Sequence, residues 1–198
     1  MAYVSTADLK VYLGIASAQT GDDTLLATLI GAAQAFVEQY TRRVFEHSGT
    51  AAIRYHDAVG DVDAAQGLLF LRGDLCAITS VTNGDGVVVT AAQYVTEPRA
   101  TTPYWALRLL ASSGVVWTYT TDEIGAIAIN GKWAYSATAP GDIVQAATRL
   151  AAYLYRQKDT SLDMDRAVSL GGGMLLPTTL PADIKALLDP YRKLVPCG

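Results

Sequence analysis

The sequence predicts an α+β protein. It comprises an antiparallel helix pair, a small antiparallel β domain inserted between the two helices, and an extended C-terminal arm ending in a short helix. Three observations lead there. Apolar residues recur at helical spacing over 22–43 and again over 140–158. Between them, residues 53–136 are rich in Val, Thr, Tyr and Trp, and turn residues cut them into short runs. After the second long helix the periodicity stops, and the chain carries three consecutive glycines, Gly171, Gly172 and Gly173, which suit a hinge. The expected organisation is a core over 1–158 and an arm over 159–198.

The elements follow in order. Ser5 and Thr6 cap a helix over 5–13, with Asp8 placed as in a capping box and Gly14 as a stop. Asp22 and Asp23 open the helix over 22–43. Its stripe is Leu25, Leu26, Leu29, Ile30, Ala33, Phe36, Val37 and Tyr40, and it is roughly 30 Å long. The acids lie at its positive end, and Arg42 and Arg43 at its negative end. Strands are expected over 68–71, 77–82, 87–90, 93–96, 105–110, 115–120 and 126–135. Asn83-Gly84-Asp85-Gly86 forms a hairpin turn. Asn130-Gly131 reads as a tight turn or as a bulge in a continuous strand.

Pro140-Gly141-Asp142 begins the helix over 140–158. Its stripe of Ile143, Ala146, Ala147, Leu150, Ala151 and Leu154 is small enough to let the 22–43 helix approach closely. The aperiodic segment that follows can reach about 70 Å when extended. Pro181 suits the first turn of the closing helix, whose apolar face is Ile184, Leu187, Leu188 and Tyr191. That face has no obvious core of its own and calls for a partner.

Composition excludes several classes. The 198 residues are 51% hydrophobic and 17% charged, far from the polar, highly charged make-up of a disordered chain. The longest uncharged run, 167–182, contains three glycines and two prolines, so no membrane-spanning helix is expected. The net charge of −4 argues against nucleic-acid binding as the main task. It serves to keep the protein soluble, and it would also suit a wall past which DNA slides. Cys76 and Cys197 are far apart and form no C-x-x-C pair, so neither a disulfide framework nor a zinc site is expected. The first ten residues lack the basic and apolar regions of a secretory leader.

No catalytic constellation emerges. His47 and His56 lack metal-pair spacing and read as surface or loop residues. Gly171-Gly172-Gly173 is not followed by the Lys-Ser or Lys-Thr of a phosphate loop. Asp159, Asp163 and Asp165 lack the glycine and glutamate of a calcium loop. Asp122-Glu123 reads as a polar turn, and Trp105, Trp117 and Trp133 as packing residues. Neither a cofactor nor a metal is expected.

The order of parts resembles the tailed-phage head-tail connector family, also called adaptor or head completion proteins. The likeness runs through STADLKVYLG at 5–14, Asp22-Asp23, and Leu29-Ile30 to VEQYTRR at 37–43. It continues through LCAITSVT at 75–82, IAINGKWAYSATAPGDI at 127–143, AATRLAAYLYR at 146–156, and LPADI at 180–184 with LLDPYR at 187–192. It covers most of the chain outside 93–122. Co-linearity carries it, since no single motif holds chemistry.

The resemblance implies a non-enzymatic ring, usually of twelve copies, in the virion neck, made in the host bacterial cytoplasm. The ring lies between the portal and a stopper or tail-completion protein and extends the DNA channel without sequence-specific binding. Leu180, Ile184, Leu187, Leu188 and Tyr191 would dock on the portal or a neighbouring copy. The hairpin Asn83, Gly84, Asp85 and Gly86, or the loop holding Pro98, Arg99 and Pro103, would face the channel or the tail. The contrasting expectation is a ligand- or carbohydrate-binding β module with helical flanks, which the Tyr- and Trp-rich strands would serve through an aromatic-lined pocket.

Overall fold

The computed structural model describes residues 2–157 and 180–193, which leaves Gly171, Gly172, Gly173 and Cys197 outside the described residues. The chain divides into a β unit of residues 44–139 and a helical unit that joins residues 2–43 to those from 140 onward.

In the helical unit, α1 (Thr6–Leu13) starts where the Ser5 hydroxyl accepts the Asp8 N–H at 3.1 Å, and ends at Gly14 in the left-handed region. The second helix, α2 (Asp23–Thr41), stops two residues short of the expected end. Arg42 takes φ +57°, and its N–H turns back to the Glu38 carbonyl. The third helix, α3 (Gly141–Gln157), packs along α2. Leu26, Leu29, Ile30, Ala33 and Val37 are buried on α2, and Ile143, Ala146, Ala147, Leu150, Ala151 and Leu154 on α3. Each fully buried Leu or Ile contributes about 1.5–3 kcal/mol, and the three stripe alanines of α3 leave room for a close approach. Tyr155 of α3 donates its phenol to Asp22 at 2.6 Å. Lys10 of α1 is buried, and the Asp23 carboxylate neutralises it.

The β unit holds two four-stranded antiparallel sheets. The first pairs β1 (Ala52–His56), β8 (Ile127–Lys132), β4 (Ala77–Thr82) and β5 (Val88–Val89) in the order β1-β8-β4-β5. The second pairs β2 (Val62–Asp63), β3 (Leu68–Leu75), β7 (Tyr104–Leu109) and β6 (Tyr94–Glu97) in the order β2-β3-β7-β6. Leu69, Leu75, Leu107 and Leu109 of one sheet share a core with Val81, Val89, Ile127 and Ile129 of the other. Val81 stands opposite Val89 on one side and Ile129 on the other, which fixes the register of the first sheet from its centre.

The strands depart from expectation in three places. Residues 115–120 form no strand, only a bridge between Gly84 and Tyr119, because the Asn83 side chain takes the Val116 carbonyl and the Thr118 N–H. Asn130-Gly131 lies within continuous β8, and the irregularity sits in β4 between Ile78 and Ser80. A Cβ at Gly131 would come 2.5 Å from the Ala77 carbonyl oxygen, so close is that crossing. Strands β1 and β2 lie outside the expected strands: β2 is only two residues long, and four of the five β1 residues are exposed.

Candidate functional site

The hairpin turn is built around one buried amide. Asn83 is 3% exposed, and both its amide nitrogen and its amide oxygen are hydrogen-bonded. Its Nδ2 donates to the Val116 carbonyl at 2.9 Å, and its Oδ1 accepts the Thr118 N–H at 3.1 Å and the Gly84 N–H at 3.0 Å. Gly84 is pressed against the same segment, where a Cβ would meet the Thr118 oxygen at 2.4 Å and the Ala126 Cβ at 2.8 Å. Of the four turn residues, then, only Asp85 and Gly86 are exposed, while Asn83 and Gly84 anchor.

A charged node beside the hairpin was not anticipated. His56 is fully buried in β1, not on the surface or in a loop, and neither ring nitrogen has a hydrogen bond. Its Nδ1 lies 3.7 Å from an Asp61 oxygen, and its ring is 6.0 Å from that of Trp133. Burial lowers its pKa below 6.5, with Asp61 pulling the other way. Arg72 of β3 bridges Asp57 and Asp61, and Asp57 also accepts the Gly125 N–H at 2.7 Å. That amide and Arg72 hold the Asp57 carboxyl below its ordinary range. The node ties the loop after β1 to β3 and to the segment before β8. Its sequence signal is the alternation Ile53, Tyr55 against Arg54, His56, which gives no clue to a buried imidazole.

At the opposite end of the strands, the Glu97–Pro98 and Thr102–Pro103 peptides are cis, and Ala100 takes φ +57°. Arg99 is exposed, and with Ala100, Tyr94, Tyr104 and Cys76 it lines an open cavity of about 550 Å³. Burial pushes the Cys76 thiol up, and it donates to the Lys132 carbonyl at 3.3 Å. No tryptophan lines the cavity. The indole N–H of Trp117 goes to the Gly67 carbonyl and that of Trp133 to the Ala52 carbonyl, while Trp105 stacks on Phe70.

In the helical unit, the closing helix α4 (Ala182–Leu188) and its 3-10 extension (Asp189–Tyr191) pack on α3 and α2 of their own chain. Ile184 is 2% exposed and Leu188 is fully buried, whereas Leu180, Leu187 and Tyr191 are half-buried. The face expected to need an outside partner is therefore covered in cis at its two central residues. A polar rim surrounds them. Arg149 reaches Asp183 at 2.8 Å, Tyr40 donates to Asp189 at 2.5 Å, and Arg43 donates to the Tyr191 carbonyl at 2.7 Å. Arg149 holds the Asp183 carboxyl low, and Asp189 raises the Tyr40 phenol.

Among the described residues, no group of three His, Cys, Asp or Glu side chains could hold a metal ion. No described helix is long and apolar enough to cross a membrane. No protein-family model matches the sequence, and no curated protein matches it. Among solved structures, the chain is similar to one in the neck of an empty gene transfer agent particle computed with C6 symmetry. The TM-score is 0.60 at 18% identity, covering 99% of this chain and 92% of that one.

The chain shares the fold of a chain found in a virion neck. A chain in the virion of the native gene transfer agent particle matches at a TM-score of 0.55 and 20% identity, again over 99% of this chain and 92% of that one. The match spans both units, so the neck fold includes the β unit, the helix pair and the closing helix together.

Proposed function

We propose that the chain is a structural subunit of a virion neck, of the tailed-phage head-tail connector kind. It assembles as a ring of twelve copies between the portal and a stopper or tail-completion protein, extends the DNA channel, and completes the head after packaging. The observation that carries this reading is the fold match to a neck chain over nearly the whole length of both. The net charge of −4 suits a conduit that lets DNA pass without holding it.

The closing helix serves as the docking element. Its small apolar plug, Ile184 and Leu188 within a polar rim, seats on its own α2 and α3 in the single chain. The connection from 158 to 179 is long enough for the same plug to seat on a neighbouring copy or the portal.

The test is electron microscopy of the full chain, alone and mixed with portal rings. A symmetric ring of this chain on one face of the portal supports the reading, whereas a bare portal beside a monomeric chain overturns it. Deleting 174–198 is expected to leave a folded β unit and to abolish portal occupancy.

A further inference from the structure

We propose that the loop end of the β unit at residues 55–61, 83–90 and 114–126 is the docking surface for a different neck protein whose facing surface is basic and apolar. The proposal rests on the neck reading and decides between its two alternatives for the hairpin, in favour of a protein contact over a channel lining.

The three loops form one surface. The Ala58 N–H donates to the Glu123 carbonyl at 2.8 Å, and the Gly125 N–H to Asp57. Asn83 ties the hairpin to Val116 and Thr118, and Gly84 packs on Ala126. The surface is thus set before any partner arrives, which spares a complex the cost of ordering it.

Its chemistry is unlike that of an ordinary solvated end. Of the thirteen large apolar side chains exposed among the described residues, seven lie here. Ile124 is 73% exposed, Val116 69% and Val87 61%, and Tyr55, Val59 and Tyr119 of the same three segments are exposed as well. Exposed apolar groups gathered on one end mark a contact site. The charge is one-sided. The three loops hold Asp57, Asp61, Asp85, Asp122 and Glu123, and not one of the chain's 15 Lys and Arg residues. Arg72 of β3 reaches in, and the carboxylates of Asp57 and Asp61 occupy it. Like charge disfavours the same patch of a second copy, and the exposed apolar side chains call for a protein surface to cover them. Val87, Val116 and Ile124 supply the desolvated centre, and Asp85, Asp122 and Glu123 form an acidic rim that steers a cationic surface onto it.

The test places a photo-crosslinking amino acid at Val87 or at Ile124 of the full chain, produced together with its particle, and sequences the cross-linked peptides. Cross-links to a different neck chain, at a segment bearing Lys or Arg, are expected. Cross-links only to further copies of this chain, or none from chains present in particles, overturn the proposal. A second arm uses Asp85→Lys, Asp122→Lys and Glu123→Lys together, at exposed positions where the melting temperature is expected to stay within a few degrees. Completed particles are expected to fall at least tenfold, and an unchanged yield overturns the proposal. If the unaltered chain is absent from particles, the neck reading itself fails, and this surface with it.

Discussion

Asn83 Nδ2 donates to the Val116 carbonyl oxygen at 2.9 Å across 33 residues of sequence. A side chain thereby takes the hydrogen bonds that a strand would have used, and residues 114–120 run as an irregular segment fastened to the hairpin.

Asn83→Ala therefore strips partners from the Val116 carbonyl and the Thr118 N–H. Leaving such groups unpaired costs about 1–3 kcal/mol. Urea unfolding is expected to show that loss, and amide exchange is expected to quicken at Thr118 before it does in β8. Unchanged exchange at Thr118 would contradict the anchoring role.

Gly84→Ala tests the same junction by volume. The new methyl would lie 2.4 Å from the Thr118 oxygen, which is backbone and cannot rotate away. Overpacking of this kind costs about 1–3 kcal/mol. Gly86→Ala has open space and meets only the strain of φ +83°, so thermal melts should rank Gly84→Ala as the worse of the two.

Acid is expected to weaken the β unit in two stages. The folded pKa of His56 lies below 6.5, so the unfolded chain binds the proton first, and stability falls as pH drops below about 6.5. The slope cannot exceed about 1.4 kcal/mol per pH unit for this one group. The folded pKa of Asp57 is also lowered, so its contribution is present above 3.8 and is lost as pH falls through the folded value. Urea midpoints from pH 7.5 to 5.0 should decline in the native chain and stay nearly flat in His56→Leu, which also removes two unsatisfied nitrogens. An equal slope in both would assign the first stage elsewhere.

Leu188→Ala is expected to loosen the closing helix by about 2–4 kcal/mol, since the side chain is fully buried. Arg149→Ala should matter far less, because its Asp183 partner is exposed. Amide exchange over 182–188 reads the difference directly, with the β unit as an internal reference.

Periodicity carried most of the helical unit. The stripes on α2 and α3 are long and regular, so both helices and their pairing were legible, as were the Ser5 cap and the Pro181 start. The β unit was legible where strands alternate, as in β4 and β7. It was misread at 115–120, where Val115, Val116 and Trp117 have strand propensity but a tertiary contact from Asn83 overrides it. The candidate site was half legible. The hairpin residues were visible as a turn, but what surrounds them was not, because Tyr55, Val59, Val116 and Ile124 meet only after both sheets have formed. Likewise, nothing local reveals that Ile184 and Leu188 have a seat on helices far earlier in the chain.

The insertion of the β unit within the helix pair bears on the order of assembly during synthesis. All eight strands leave the ribosome before α3, so the sheets can close while α2 still lacks its principal partner. Their closure is clasped by the Tyr135 N–H on the Val44 carbonyl at 2.8 Å, which draws together the two points where the chain leaves the β unit. The loop to be closed when α3 meets α2 shrinks from nearly a hundred residues to a handful, an entropic saving of about 2 kcal/mol. Closing the β unit first thus shortens the search of α3 for α2.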